Sequence, residues 1–523
     1  MVVAAHEPAG FEGILVHVEV DLRRGIPAMD LVGLAEGAVK EARERVRAAS
    51  RNSGFNFPLD RILVSLSPAA YPKEGSGYDL PIALAVLGAA GLLPEPGQPI
   101  LAMGELRLNG EVSPVRGILA AVASGLGAGI ESFIVPRGNL EEAEVLGRGR
   151  VFGIGELREA IDILEAVRQG ELPRHSRSGH AGPTAACAGI SGQAADSGSP
   201  GPRADLAEVK GLERARRALE VAAAGGHNIF LFGPPGSGKT MLAQRLPSIL
   251  PDLPEADAVA VTKLHSLAGL LPESNGLICR PPFRSPHHSA SREGLVGGGR
   301  DILPGEVSLA HKGVLFIDEA PEFHRDALQA LREPLELGRV SLSRAGKALR
   351  YPADFQLVLA ANPCPCGNLG RAGRICACSL QEIQRYWRKI GGPLLDRIDM
   401  RCPLRPASPR DLMGPAGEPS SKVRARVEAA CDIQAHRYRG LGFERNARLP
   451  PASIERFCRL EASACSLLGS AVEKLGLSSR ACHSVLRVAR SIADLAGREG
   501  ISEEDLLEAI QHRRYGDGDF YWQ

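Results

Sequence analysis

No charge of either sign dominates this chain: 62 Lys and Arg stand against 61 Asp and Glu, a formal net charge of +1. A global field that would draw in nucleic acid is thereby excluded, and any such binding has to come from local patches. Nor is there an apolar run long enough to cross a bilayer, because the stretch from Leu80 to Leu93 is short and broken by Pro81 and glycine. Residues 1 to 9 lack a basic segment followed by an apolar core, so no secretion signal is read there. The 11 cysteines are odd in number and scattered, which suits a reducing compartment better than a disulfide framework. Together these absences predict a soluble, cytoplasmic protein without a membrane partner. What the chain does have is size: 523 residues with 44% hydrophobic content exceed one core and suggest about three or four domains.

The most informative stretch is the apolar run Ile229-Phe230-Leu231-Phe232 leading into Gly233-Pro234-Pro235-Gly236-Ser237-Gly238-Lys239-Thr240. This is a complete G-x-x-x-x-G-K-T loop between a buried strand and a helix. Its glycines let backbone N–H groups close around phosphates, Lys239 reaches the β- and γ-oxygens, and the Thr240 hydroxyl ligates Mg²⁺. The helix that follows adds partial positive charge beneath the phosphates. ATP and Mg²⁺ are the cofactors this pattern predicts.

A second apolar run, Val314 to Ile317, ends in Asp318-Glu319. Two carboxylates at a buried strand end have to face something cationic or wet. Asp318 suits Mg²⁺ and Glu319 suits the attacking water, the two roles phosphoryl transfer needs. A third strand, Phe355 to Ala361, ends at Asn362, whose amide is placed to hold that water or the γ-phosphate; the alternative is a turn-initiating Asn before Pro363.

Around this centre the organisation is multidomain α/β. Residues 1–165 read as a mixed domain, with strands at Ile14–Val20, Arg61–Leu66 and Phe133–Pro136 and helices at Glu36–Ala49 and Leu80–Gly91. A Gly, Ser, Ala and Pro stretch makes 166–204 a linker. Asp205 N-caps a helix running from Leu206 to Ala224. Strands and helices alternate over 205–404, helices prevail over 405–514, and 515–523 is a tail without an assigned role.

The order of these motifs resembles AAA+ ATPases of the magnesium-chelatase-like group. Four further stretches, Gly226-His227-Asn228, Pro282 to His288, Gly305 to His311 and Gly392 to Asp399, are similar to the ComM/YifB-type family over nearly all of 1–165 and 205–514. The resemblance implies a P-loop AAA+ core, a C-terminal helical lid and a homo-oligomeric ring, hexameric in the family, with ATP sites between subunits. It makes Arg397 an arginine finger and Arg480 the lid's sensor arginine. Without it, Arg397 reads equally as an ion-pair partner of Asp396 or Asp399, and Arg480 as a surface residue. It further implies a helicase that drives DNA branch migration in transformation and recombination, acting on single-stranded or branched DNA alongside recombination or loading proteins. The rival classes are a magnesium-chelatase-type or protein-remodelling motor, and an ATP-dependent protease.

The protease class arises because residues 1–165 resemble the Lon proteolytic domain, an S5 domain 2-like fold, at Pro72-Lys73-Glu74-Gly75 and Gly110 to Val115. In that alignment the nucleophile position falls on Gly77 and the lysine position near Leu119, so neither reactive group is present. A shifted dyad of Ser76 and Lys73 is the alternative, since nucleophile and base need hydrogen-bond reach. Cys364, Cys366, Cys376 and Cys378 offer four soft ligands in two pairs, a set that suits tetrahedral Zn²⁺ as against reduced structural thiols. Two basic segments are candidate DNA contacts through phosphates. One is an insertion, His265 to Arg300, carrying Arg284, His287 and His288; the other is a hairpin of Arg339–Ser343 and Lys347–Tyr351, with Arg344 and Lys347 at its turn. Simple solvation of these charges is the alternative.

Overall fold

The computed structural model describes residues 1–35, 37–171, 204–271, 276–299, 302–344, 347–371 and 373–513. Most of the expected linker and the whole tail lie outside the described residues. The chain forms two compact units that are not collinear with it. The first gathers Met1–Ala195, Pro254–Cys279 and Ala345–Arg350; the second gathers Asp196–Leu253, Arg280–Arg344 and Tyr351–Gln523.

The first unit is built on a seven-stranded mixed sheet in the order Ala28–Val32, Arg61–Ser67, Ile14–Arg23, Val3–Glu7, Ile100–Ala102, Ser132–Pro136, Arg150–Ile154. Alternation sets its faces: in Arg61–Ser67 the residues Ile62, Val64 and Leu66 are buried while their neighbours are not. The helix Asp79–Ala89 is apolar on nearly every side and buried from Asp79 to Leu87. Its one buried charge is held from the helix Gly37–Asn52, where Arg45 grips Asp79 with Nε and Nη2 at 2.7 and 2.9 Å. The helix Glu255–Ala268, distant in sequence, packs on the helix Ile118–Gly127. There Ser266 donates to Glu142 at 2.5 Å and Lys263 lies 3.5 Å from Glu12.

The second unit contains a five-stranded, wholly parallel sheet in the order Phe283–Arg284, Val314–Ile317, Gln356–Ala361, Ile229–Phe232, Met400–Pro403. Both faces are covered, which explains why these strands read as continuous apolar runs. Ile229, Leu231, Val314, Phe316 and Val358 pack with Val427, Val488 and Ile492 of the later helices. Phe230, Leu315, Ile317, Leu357 and Leu359 pack on the opposite face with Ile383 and Trp387. The chain from Ser420 to Arg513 is mainly helical, with helices Ser420–Arg437, Pro451–Phe457, Ala462–Leu475, Ser479–Leu495 and Glu503–Arg513.

One helix differs from the sequence expectation. Asp205 does cap, accepting from Ala207 N–H at 2.7 Å, but it caps only the turn Leu206–Glu208. Val209 is then extended and fully buried, and the helix proper is Glu213–Gly225. Burying Leu206 and Val209 together outweighs the modest gain from a few more helical residues.

Candidate functional site

The strand Ile229–Phe232 lies between Gln356–Ala361 and Met400–Pro403, so the loop at its carboxyl end sits where an open parallel sheet accepts ligands. Gly233 N–H donates to Ala361 O at 3.2 Å, and a Cβ on Gly233 would lie 2.4 Å from Leu404 O. Only glycine fits between those two chain segments. Gly233→Ala is expected to lower stability by about 1–3 kcal/mol, measured as a shifted urea midpoint with an unchanged slope.

Lys239 opens the helix Lys239–Arg245. Its ammonium donates to Gly233 O at 2.8 Å, Pro234 O at 3.1 Å and Asn362 Oδ1 at 3.0 Å. Burial draws its pKa below the usual value, against the pull of the Asp318 and Glu319 carboxylates. The next residue, Thr240, donates from its hydroxyl to Asp318 Oδ2 at 2.7 Å, and Asp318 Oδ1 accepts Glu319 N–H at 2.9 Å. Glu319 adopts φ 47° and ψ 46°, the left-handed region that a glutamate rarely enters. Strain of that kind is tolerated where the orientation of a side chain matters.

These residues fit a magnesium nucleotide. Lys239 already sits among oxygen acceptors, a hydroxyl and a carboxylate stand together as hard oxygen donors for Mg²⁺, and the Ser237 hydroxyl, 2% exposed, has no hydrogen-bond partner among the described residues.

Arg397 and Arg480 are brought together elsewhere in this unit, on a residue that sequence reasoning missed. Arg397 Nη2 donates to Glu336 Oε1 at 2.5 Å, and Arg480 Nη2 donates to the same oxygen at 3.1 Å. Burial raises the Glu336 pKa, but the two guanidiniums outweigh it and hold the carboxyl below its usual value. The three residues line a cavity of about 340 Å³ together with Arg448 and Arg487. Arg397 therefore has Glu336 as its partner instead of its neighbours Asp396 or Asp399. Asp399 is taken up by Ser484 at 2.7 Å and His227 at 3.6 Å, which hold it at about 2 in spite of its burial. Asn228, the residue before the strand that carries the phosphate loop, donates from its amide to Arg397 O at 3.1 Å and accepts from Leu357 N–H at 2.8 Å.

The basic segments behave differently from one another. Arg284 is not a loop cation: Phe283–Arg284 is the edge strand of the parallel sheet, and Arg284 grips Glu306 at 2.7 and 2.9 Å. His287 and His288 are exposed, their rings 4.0 Å apart. The hairpin forms from Arg339–Arg344 and Lys347–Pro352; the side chains of Arg344 and Lys347, and residue 300, lie outside the described set. Ser76 and Lys73 each have other partners. Ser76 donates to Glu105, and Lys73 donates to the carbonyls of Gly33, at 2.9 Å, and Pro68. The sulfurs of Cys364, Cys366, Cys376 and Cys378 all lie within 4.8 Å of one another.

Comparison with known proteins places this chain in a family. The model described as magnesium chelatase, subunit ChlI, matches residues 205–412, that of subunit ChlI of Mg-chelatase matches 18–139, and that of the ChlI C-terminal region matches 417–513. The chain is 43% identical over 511 residues to an uncharacterised protein of Mycobacterium tuberculosis, covering 97% of each. It is 39% identical over 515 residues to the competence protein ComM of Haemophilus influenzae, covering 98% of this chain and 97% of that one. Against the uncharacterised protein YifB of Escherichia coli it is 40% identical over 501 residues, covering 95% and 94%. Among the described residues no helix is long and apolar enough to cross a membrane.

Proposed function

Because this chain belongs to the magnesium-chelatase-like AAA+ ATPases of the ComM and YifB type, we propose that it is an ATP-hydrolysing ring motor that drives branch migration of DNA in transformation and recombination. The observation that carries the ring is the division of the site residues into two hydrogen-bonded sets. Lys239, Thr240, Asp318, Glu319 and Asn362 form one; Arg397 and Arg480 form the other, on Glu336. A set that binds nucleotide and a separate pair of cations suit a site completed by a second copy of the chain, with six copies closing the ring.

Each residue then has a role. Thr240 and Asp318 would hold Mg²⁺, which when bound would supply charge neutralisation at the phosphates, and Lys239 would exchange the carbonyls of its own loop for phosphate oxygens. Asn362, released from Lys239, orients the attacking water, and Glu319 accepts its proton. Arg397 enters a neighbour's site and stabilises transition-state charge, with Arg480 beside it as the lid's sensor. Asn228 ties the backbone of Arg397 to the strand that carries the phosphate loop, a route by which one site's occupancy reaches the next.

DNA as the track is supported by the name competence protein borne by the Haemophilus relative and by the exposed His287 and His288, with Arg344 and Lys347 at the ends of the hairpin strands as further proposed contacts. A chelatase-type or protein-remodelling motor is the second reading, favoured by the Arg284–Glu306 pair, which takes one expected cation away from a phosphate track. A Lon-like protease is the weakest, given the other partners of Ser76 and Lys73.

The test is steady-state ATPase activity without DNA and with single-stranded, duplex and four-way-branched DNA at two salt concentrations. Branched or single-stranded DNA is expected to stimulate turnover, with an effect that fades as salt rises. Basal turnover indifferent to every DNA would favour the second reading. Peptide hydrolysis lost in Ser76→Ala would favour the third.

A further inference from the structure

The four clustered thiols take no part in the nucleotide site, and their geometry carries a role of its own. Cys364 Sγ lies 3.4 Å from Cys366 Sγ and 3.6 Å from Cys376 Sγ, and Cys366 Sγ lies 3.6 Å from Cys376 Sγ. A disulfide would bring two sulfurs to about 2.05 Å. Four Zn–S bonds of about 2.3 Å from one centre put tetrahedral ligands about 3.8 Å apart. The separations belong with the second arrangement.

We propose that Cys364, Cys366, Cys376 and Cys378 form a closed structural zinc site, and that this site braces the phosphate loop. Four thiolates leave no open position, which is the mark of a structural centre. Outer contacts of the kind metal knuckles need are present: Leu369 N–H donates to Cys364 Sγ at 3.4 Å, and Gly367 N–H closes a turn onto Cys364 O at 3.0 Å. Apolar packing holds part of this excursion, with Cys364 buried and Leu369, Cys376 and Cys378 against the core, while Ile375, beside Cys376, is 91% exposed.

The brace is a direct contact. Gly367, in the left-handed region at φ 73°, lies so close to the loop that a Cβ there would be 2.7 Å from Pro235 Cγ. Immediately before Cys364, Pro363 O accepts Trp387 Nε1–H at 3.2 Å and Asn362 holds Lys239. The stretch from Asn362 to Gly367, which carries the first two thiols, therefore meets the loop at both Lys239 and Pro235. Loss of the metal frees the Gly367 turn and with it the position of Pro235.

The full chain, purified in reducing buffer without chelator, is expected to carry about one zinc per chain, and cobalt exchanged into it should show thiolate charge-transfer bands and intense tetrahedral d–d bands. Stripping the metal with a chelator should weaken binding of a fluorescent ATP analogue about tenfold, restored by added zinc. Gly367→Ala keeps all four thiols, so it should retain zinc yet bind the analogue less tightly; Cys376→Ser with Cys378→Ser should lose zinc and bind the analogue as weakly as the stripped chain. A zinc-free chain whose Cys364, Cys366, Cys376 and Cys378 all react with a thiol reagent, read by peptide mapping, and whose analogue binding is unimpaired overturns the site. A zinc-bound chain whose analogue binding survives both metal removal and Gly367→Ala overturns the brace. None of these readouts involves DNA, so they leave the motor reading to its own test.

Discussion

Arg397→Ala is expected to bind ATP with nearly unchanged affinity and to lose about 10³ to 10⁵ in turnover, the range an arginine finger contributes. The prediction follows from where the guanidinium is. It shares Glu336 with Arg480 and makes no bond to Lys239, Thr240 or Asp318, so its removal leaves the set that grips phosphate intact. Arg397 is 11% and Glu336 45% exposed, so a urea midpoint measured beside turnover separates any loss of stability from loss of the finger. Arg397→Lys should fail to restore turnover, since a point charge on a flexible stem does not reproduce a planar fork. Equilibrium binding of a fluorescent ATP analogue, paired with steady-state hydrolysis, reads both quantities. Full turnover in Arg397→Ala would remove the finger role and, with it, the main support for a shared site.

Glu319→Gln should produce the complementary trapped state: ATP binds, and turnover falls by about 10² to 10⁴, the usual contribution of a positioned general base. Glutamine preserves the shape of the side chain and the left-handed backbone at this position while removing the proton acceptor. Lys239→Ala differs in kind. It removes the cation around which Gly233 O, Pro234 O and Asn362 Oδ1 are arranged, so affinity itself should collapse. Equal ATP binding by Lys239→Ala and the unchanged chain would sink the assignment of the loop, whereas unchanged hydrolysis by Glu319→Gln would sink only the role of the base.

The parts legible in the sequence are those whose physics is local. Ile229–Phe232, Val314–Ile317 and Gln356–Ala361 read as strands because a parallel sheet covered on both faces demands unbroken apolar runs. Lys239, Thr240, Asp318 and Asn362 could be named because each stands at the end of such a strand or of the loop it feeds. Val3–Glu7 was not legible: its alanines, His6 and Glu7 give a weak strand signal, and it is buried between Ile14–Arg23 and Ile100–Ala102, with Tyr78 O–H and Glu74 N–H donating to Glu7 at 2.7 and 3.2 Å from far along the chain. Phe283–Arg284 was hidden for a similar reason, a two-residue edge strand inside a Pro- and His-rich insertion. Glu336 gives no local sign at all. In sequence it is one acidic residue among leucines, and its importance comes from two arginines that lie 61 and 144 residues away.

The interleaving of the first unit bears on how the chain is made. Its sheet and the helix Ile118–Gly127 emerge from the ribosome early, yet their packing partner Glu255–Ala268, with Ser266 for Glu142 and Lys263 for Glu12, is translated only after the phosphate loop. At about 5–20 residues per second the nascent unit waits several seconds for the piece that covers it. Vectorial synthesis thus delivers an uncovered helix face first and its cover later, and fragments cut at the linker will carry that face permanently uncovered.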